Sequence, residues 1–171
     1  GPRVRARPMI RPLLLLAAVG SAPLSDFASR DGFAVQQIVT DDASRLLRDW
    51  AQPDQATQSP SVDRILREHV VDSFVVFKGC RPNPDEECNV TADFQLIGPQ
   101  GQVYARHRDA ALWVGKAAPA EGTLTISDSS LGIVIEPEDP AGVYVVRADV
   151  TDHVAGITLR TEKRLTVAPA E

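Results

Sequence analysis

Two cysteines, Cys80 and Cys88, are the chain's whole thiol inventory, and they bracket the turn-rich stretch Arg81-Pro82-Asn83-Pro84-Asp85-Glu86-Glu87. Paired thiols at this spacing can hold a metal, serve a nucleophile, or oxidise to a disulfide. A structural metal wants four ligands of Cys or His type, and His69, His107 and His153 are scattered with none beside either cysteine. No metal is expected there. Apolar runs, Ser73–Phe77 before and Asn89–Phe94 after, flank the pair. A hairpin whose loop is stapled by Cys80–Cys88 is therefore expected, and with both thiols oxidised a cysteine nucleophile is excluded. Closing so small a loop contributes about 2–3 kcal/mol in the chain-entropy picture.

The remaining reactive residues form weaker constellations. Serine, histidine and aspartate are all present, but no Gly-x-Ser-x-Gly elbow and no glycine cluster for an oxyanion accompany them. No enzyme activity is expected. Glu136, Glu138 and Asp139 fall in one turn, with Asp149 and Asp152 near the next. Hard cations such as calcium take oxygens from loops of this kind, yet the ordered spacing of a calcium loop is missing. Solvated acidic turns are the better reading, and calcium at one of them stays open. Arg106, His107 and Arg108, followed by Asp109, form the one dense basic cluster. It is read as an exposed loop and as a candidate contact for an anionic sugar or a carboxylate. Asn89-Val90-Thr91 matches a glycosylation sequon. Trp50, Trp113 and Tyr104 could line a sugar-binding face, but with aromatics at 5% they are more economically assigned to the core.

The N-terminal text sets the compartment. Arg3, Arg5, Arg7 and Arg11 precede the short apolar run Pro12–Val19 and the small residues Gly20-Ser21-Ala22. Basic, apolar, small is the order of a signal peptide, too short to span a bilayer. Residues 1–22 are expected to be a signal with an extension upstream of Met9; a retained anchor is the alternative. Removing those arginines leaves 14 Lys and Arg against 23 Asp and Glu, a net charge of −9 in place of −5. So acidic a chain repels phosphate backbones and anionic lipid, which argues against nucleic acid and, once the signal is gone, against a membrane surface. The expected localisation is periplasmic or secreted.

These residues need a scaffold, and the chain spells one in short strands. Residues 23–32 are read as a flexible lead-in and 33–168 as a single domain. Phe33–Thr40 has the β-branched content of a strand. Asp42, ahead of Ala43–Trp50 and Pro53, brackets a short helix with Leu46, Leu47 and Trp50 as its apolar stripe. Ser61–Val70 carries helical spacing that would place His69 on a packed face, with an irregular strand entry as the alternative. From residue 73 on, strand and turn alternate, and in Val90–Leu96 the even positions are apolar, so one face is buried and the other wet.

Pro140-Ala141-Gly142-Val143-Tyr144-Val145-Val146 resembles the corner and penultimate strand of immunoglobulin-like and fibronectin type III-like domains. The resemblance covers residues 70–167 and implies that Tyr144 packs inward and hydrogen-bonds back to the corner. It also suggests the small exported bacterial sandwich proteins of unassigned function. Cys80 and Cys88 stand too close together to be the inter-sheet bridge of antibody domains, so recognition of that kind is not carried over.

The fold expected is mainly all-β, an immunoglobulin-like antiparallel β-sandwich with one or two short N-terminal helices. The function expected is a non-catalytic interaction module for a protein partner in the cell envelope, with no cofactor. A small-ligand protein, for glycan or metal ion, is the alternative. The candidate recognition loop comprises Arg81, Asn83, Asp85, Glu86 and Glu87, since a stapled loop is ordered before it binds.

Overall fold

In this computed structural model, which describes residues 24–52 and 61–171, the strand-and-turn pattern folds into two sheets with a shared core. The expected signal, residues 1–22, and Pro53, read as closing the short helix, lie outside the described residues. In chain order the elements are β1 (Phe27–Arg30), β2 (Phe33–Thr40), α1 (Ala43–Trp50), β3 (Arg64–Ile65), β4 (Val71–Lys78) and β5 (Glu87–Ile97). There follow β6 (Val103–Ala117), β7 (Thr125–Ile126), β8 (Leu131–Ile133), β9 (Gly142–Asp152) and β10 (Ile157–Val167). One sheet runs β1-β2-β4-β7, with β8 also on β4; the other runs β3-β10-β9-β5-β6. Every pairing is antiparallel except β3 with β10. The described residues form an all-β sandwich with one short helix.

Period-two alternation decides the core. Val90, Ala92, Phe94 and Leu96 of β5 and Tyr144, Val146, Ala148 and Val150 of β9 are buried, and so are Phe33, Val35 and Val39 of β2 and Val75 and Phe77 of β4. The centre also holds polar groups. Gln37, Ser73 and Thr161 are fully buried. The Gln37 amide donates to Ser73 Oγ at 2.8 Å and to the Val146 carbonyl at 3.3 Å, while Thr161 Oγ1 donates to Gln37 Oε1 at 3.0 Å. One side chain thus ties β2 and β4 to β9 and β10 across the inter-sheet gap.

The helix begins where its cap is: Asp42 Oδ1 accepts from the Arg45 amide at 3.0 Å. Only Leu46 of the expected stripe is buried, and Leu47 stays 44% exposed. Three expectations are corrected. Ser61–Val70 forms no helix, because its backbone is claimed by strand partners. The Val62 amide donates to Val39, Arg64 and Ile65 pair in parallel with Thr166 and Val167, and the Glu68 amide donates to Ile135. A helix this short is marginal alone and loses to such pairing. His69, placed on a packed face by that reading, is exposed. The lead-in 23–32 contains a strand, β1, in register with β2 from Phe27↔Gln36 to Arg30↔Phe33.

The corner before β9 takes the form the resemblance implied: Tyr144, buried, donates its phenol to the Pro140 carbonyl at 2.7 Å. Burial, then the neighbouring Tyr104 phenol and Asp139, push Tyr144 up to about 12 from 10.0, with Arg67 acting the other way. A phenol harder to ionise folded than unfolded leaves stability intact up to about pH 10. The loss comes between about pH 10 and 12, where the unfolded chain releases its proton first. Urea midpoints measured across that range are expected to fall less steeply for Tyr144→Phe than for the wild type. The variant loses about 1 kcal/mol near neutral pH with the Pro140 bond. Parallel declines in the two proteins would refute the assignment.

Candidate binding surface

The stapled loop leaves β4 through Gly79, whose φ of +77° suits glycine. A Cβ there would collide with the Gly32 carbonyl, so the entry to the loop is packed against the β1–β2 turn. Cys80 and Cys88 are disulfide-bonded with Cα atoms 6.1 Å apart, as expected. Asn83 then organises the turn from within. Its Oδ1 accepts from the Asp85 amide at 2.9 Å and the Glu87 amide at 3.0 Å, and its own amide donates to the Glu87 carbonyl. Asn83 is half-buried and serves the loop's own shape. Arg81, Asp85 and Glu86 are exposed, whereas Glu87 is half-buried as the first residue of β5.

Two further ties hold the loop to the body. The Ala118 amide donates to the Glu86 carbonyl, joining the loop to the segment that follows β6. Asp152, fully buried at the end of β9, accepts from the Arg81 amide at 2.8 Å through Oδ2. Its Oδ1 accepts from the amides of Val154 and Ala155 at 3.1 and 3.2 Å. One carboxylate therefore fixes both the β9–β10 turn and the start of the stapled loop. In sequence Asp152 stands among the acidic turn residues, and its position at a strand end before a glycine-containing turn is the signal of a capping role.

Between the stapled loop and residues 118–123 lies a cleft of about 300 Å³, with Phe77, Gly79, Cys80 and Pro82 on one side and Pro119 and Ala120 on the other. Its lining is mainly apolar, with Lys78 and Glu121 at its edge. Both walls are conformationally restricted, one by the disulfide and the Asn83 turn, the other by proline.

The basic cluster is not a loop. Arg106, His107, Arg108 and Asp109 belong to β6, the edge strand beside β5. The register shifts between Ala92 and Phe94, and Asp109, with φ of +52°, donates its amide to Asp93 Oδ1 at 2.8 Å. A bulge thus carries the strand through residues that read as a break. Arg106 and Arg108 line a groove of about 230 Å³ together with Asp93 and Asp149, and His107 stacks obliquely near Phe94, ring centres 6.4 Å apart. Two carboxylates in that groove work against the anion contact proposed for these arginines. Asp149 is itself held by Arg160 at 2.8 Å.

The acidic turns are likewise engaged. Arg67 donates to the carbonyls of Glu136, Pro137 and Asp139 at 2.8, 3.2 and 2.7 Å, so a guanidinium fills the concavity of that turn. Asp139 Oδ2 accepts from the Glu136 amide. Among the described residues no group of three or more His, Cys, Asp or Glu could share a metal ion. The single hydroxyl–imidazole pair among them joins Thr91 Oγ1 to His153 Nε2 at 2.7 Å on the exposed face of β5. No carboxylate bonds to the imidazole's other nitrogen there, so the triad logic of an activated hydroxyl is missing. Of the aromatic residues assigned to the core, Tyr104 is 38% exposed and both tryptophans are only partly buried.

No family model matches the chain, and no curated protein matches it. Among solved structures, a family 123 glycoside hydrolase from Clostridium perfringens is similar over 79% of this chain and 27% of its own, at 12% identity and a TM-score of 0.45. The chain thus spans a minor part of that enzyme's length. A Niemann-Pick type C2 protein from the Japanese carpenter ant is similar over 85% of this chain and 93% of its own, at 10% identity and a TM-score of 0.43. At that distance neither likeness carries an argument about ligand or activity.

Proposed function

We propose that this chain is a non-catalytic binding module of an oxidising compartment, periplasmic or extracellular, that takes an apolar side chain of a protein partner into the cleft beside its stapled loop. The observation that carries this reading is the rim. Residues 79–88 and 118–123 are tied into one unit by the disulfide, the Asn83 turn, the Ala118–Glu86 bond and the Asp152 carboxylate. A rim ordered in advance loses little entropy on binding. The disulfide supports the compartment, since such bonds persist where thiols are not kept reduced.

The sandwich is proposed to be immunoglobulin-like. The spatial order β10-β9-β5-β6 with β3 parallel on β10, and the Tyr144–Pro140 corner at the start of β9, support that topology.

The test is panning of a random-peptide library on the intact chain, with Ala120→Trp as the variant that fills the cleft from an exposed position. Enriched peptides are expected to share an apolar anchor residue and to lose at least tenfold in affinity against Ala120→Trp. Peptides that bind both proteins equally, or a melting shift produced only by sugars or divalent metals, would overturn the reading. Cys80→Ser/Cys88→Ser is expected to lose about 2–3 kcal/mol of stability and to bind the same peptides several-fold more weakly. Chemical denaturation with and without reductant checks the first figure.

A further inference from the structure

The chain's two tryptophans, 63 positions apart in sequence, line one cleft. Trp50 comes from the last position of α1 and Trp113 from β6, and Leu47, Leu124 and Asp128 complete an opening of about 350 Å³. This cleft is separate from the one beside the stapled loop. Lys116, which is not itself part of the lining, brings an ammonium to two of the residues that are. Lys116 Nζ lies 3.8 Å from the centre of the Trp113 ring and 2.9 Å from Asp128 Oδ2. The Trp113 ring is fixed by an edge-to-face contact with Phe77, centres 6.1 Å apart, and by its Nε1 donating to the Ala117 carbonyl at 2.9 Å. The Ser127 amide and hydroxyl bond to residues 75 and 129, and the Asp128 amide donates to the Leu112 carbonyl, so the carboxylate is also carried on fixed backbone.

An indole face and a carboxylate placed around one cation are the parts that recognise quaternary ammonium groups. We propose that this cleft binds a methylated ammonium head group, which displaces the Lys116 ammonium from Trp113 and Asp128. Lys116 and Asp128 are 43% and 49% exposed, and a surface pair of that kind is weakly held. A primary ammonium is strongly hydrated, whereas a trimethylammonium has no N–H to strip of water and covers more of the ring. Trp50 and Leu47 supply the apolar wall that methyl groups need and a lysine does not. The volume exceeds what such a group fills, which leaves room for its substituent.

The experiment titrates choline into the intact chain and follows the two indole N–H resonances. Saturable shifts of both are expected, and tetramethylammonium is expected to reproduce them while sodium and ammonium ions do not. Lys116→Met removes the internal competitor and should tighten binding about tenfold. In that background Asp128→Asn should weaken it at least fivefold, and Trp50→Leu by a similar factor. Phosphatidylcholine vesicles form a second arm. Binding to vesicles without any response to free choline would overturn the proposal in favour of membrane attachment. An absent or non-saturable response, or Lys116→Met binding no tighter than the wild type, would overturn it as well. Trp113 is left unmutated because its packing on Phe77 makes it part of the fold.

Discussion

Asp152→Ala is expected to cost about 3–4 kcal/mol and to loosen two surface segments at once. The carboxylate serves three backbone amides, those of Arg81, Val154 and Ala155, from a fully buried position. A hydrogen bond to a charged group contributes about 1.5–3 kcal/mol, and a buried donor left without an acceptor pays its desolvation. Water reaching the Arg81 side should recover part of the loss, which keeps the total below the sum of three bonds. Asp152→Asn separates the two duties. Its amide oxygen can still accept from Val154 and Ala155, but its NH₂ would face the Arg81 amide, donor against donor. About half the stability loss is expected, with fast hydrogen exchange at Arg81 and protected exchange at Val154. Chemical denaturation and amide exchange measure these together. Unchanged exchange at Arg81 in both variants would show that the disulfide alone holds the loop.

Much of the scaffold was legible because the physics that builds it is local. β2 and α1 fall where composition and the Asp42 cap place them, and the apolar positions of β5 are buried one after another. The staple followed from chain proximity of two cysteines, and the corner tyrosine from its motif. What escaped was decided by partners distant in sequence. Residues 64–65 are strand because Thr166 and Val167 lie beside them. Arg106–Asp109 is strand because a bulge against β5 absorbs a residue that would otherwise break the alternation. Neither partner is visible in a local window.

The same holds for the candidate surfaces. The loop residues were identifiable, but the second wall of their cleft, Ala118–Thr123, reads as an unremarkable linker. Trp50 and Trp113 line one cleft because the end of α1 borders it together with residues 124–128, and Leu112 bonds to Asp128. Asp152 and Asp149 look alike in sequence, yet one caps backbone amides in the interior while the other pairs with Arg160. Residue type told which groups could do chemistry; burial and partners told which of them were already occupied.

Gln37→Leu is expected to lose about 3 kcal/mol even though it makes the core more apolar. Gln37 accepts the Thr161 hydroxyl and donates to Ser73 and to the Val146 carbonyl, all inside the sandwich. Replacing it with leucine removes the partner of two buried hydroxyls, each worth about 1–3 kcal/mol when unsatisfied. Added hydrophobic area offsets only part of that, because the site is already packed. The triple variant Gln37→Leu/Ser73→Ala/Thr161→Val removes all three polar side chains together and should recover to within about 1 kcal/mol of the wild type, since removing both partners of a buried bond is nearly neutral. Recovery would identify the cost as unmet hydrogen bonding. A triple variant as unstable as the single one would assign it to shape instead. The network joins β2 and β4 to β9 and β10, so it also fixes how one sheet sits on the other. A recovered triple variant is therefore expected to show broader amide resonances along β2 and β10, having kept its stability while losing the contact that specifies a single inter-sheet alignment.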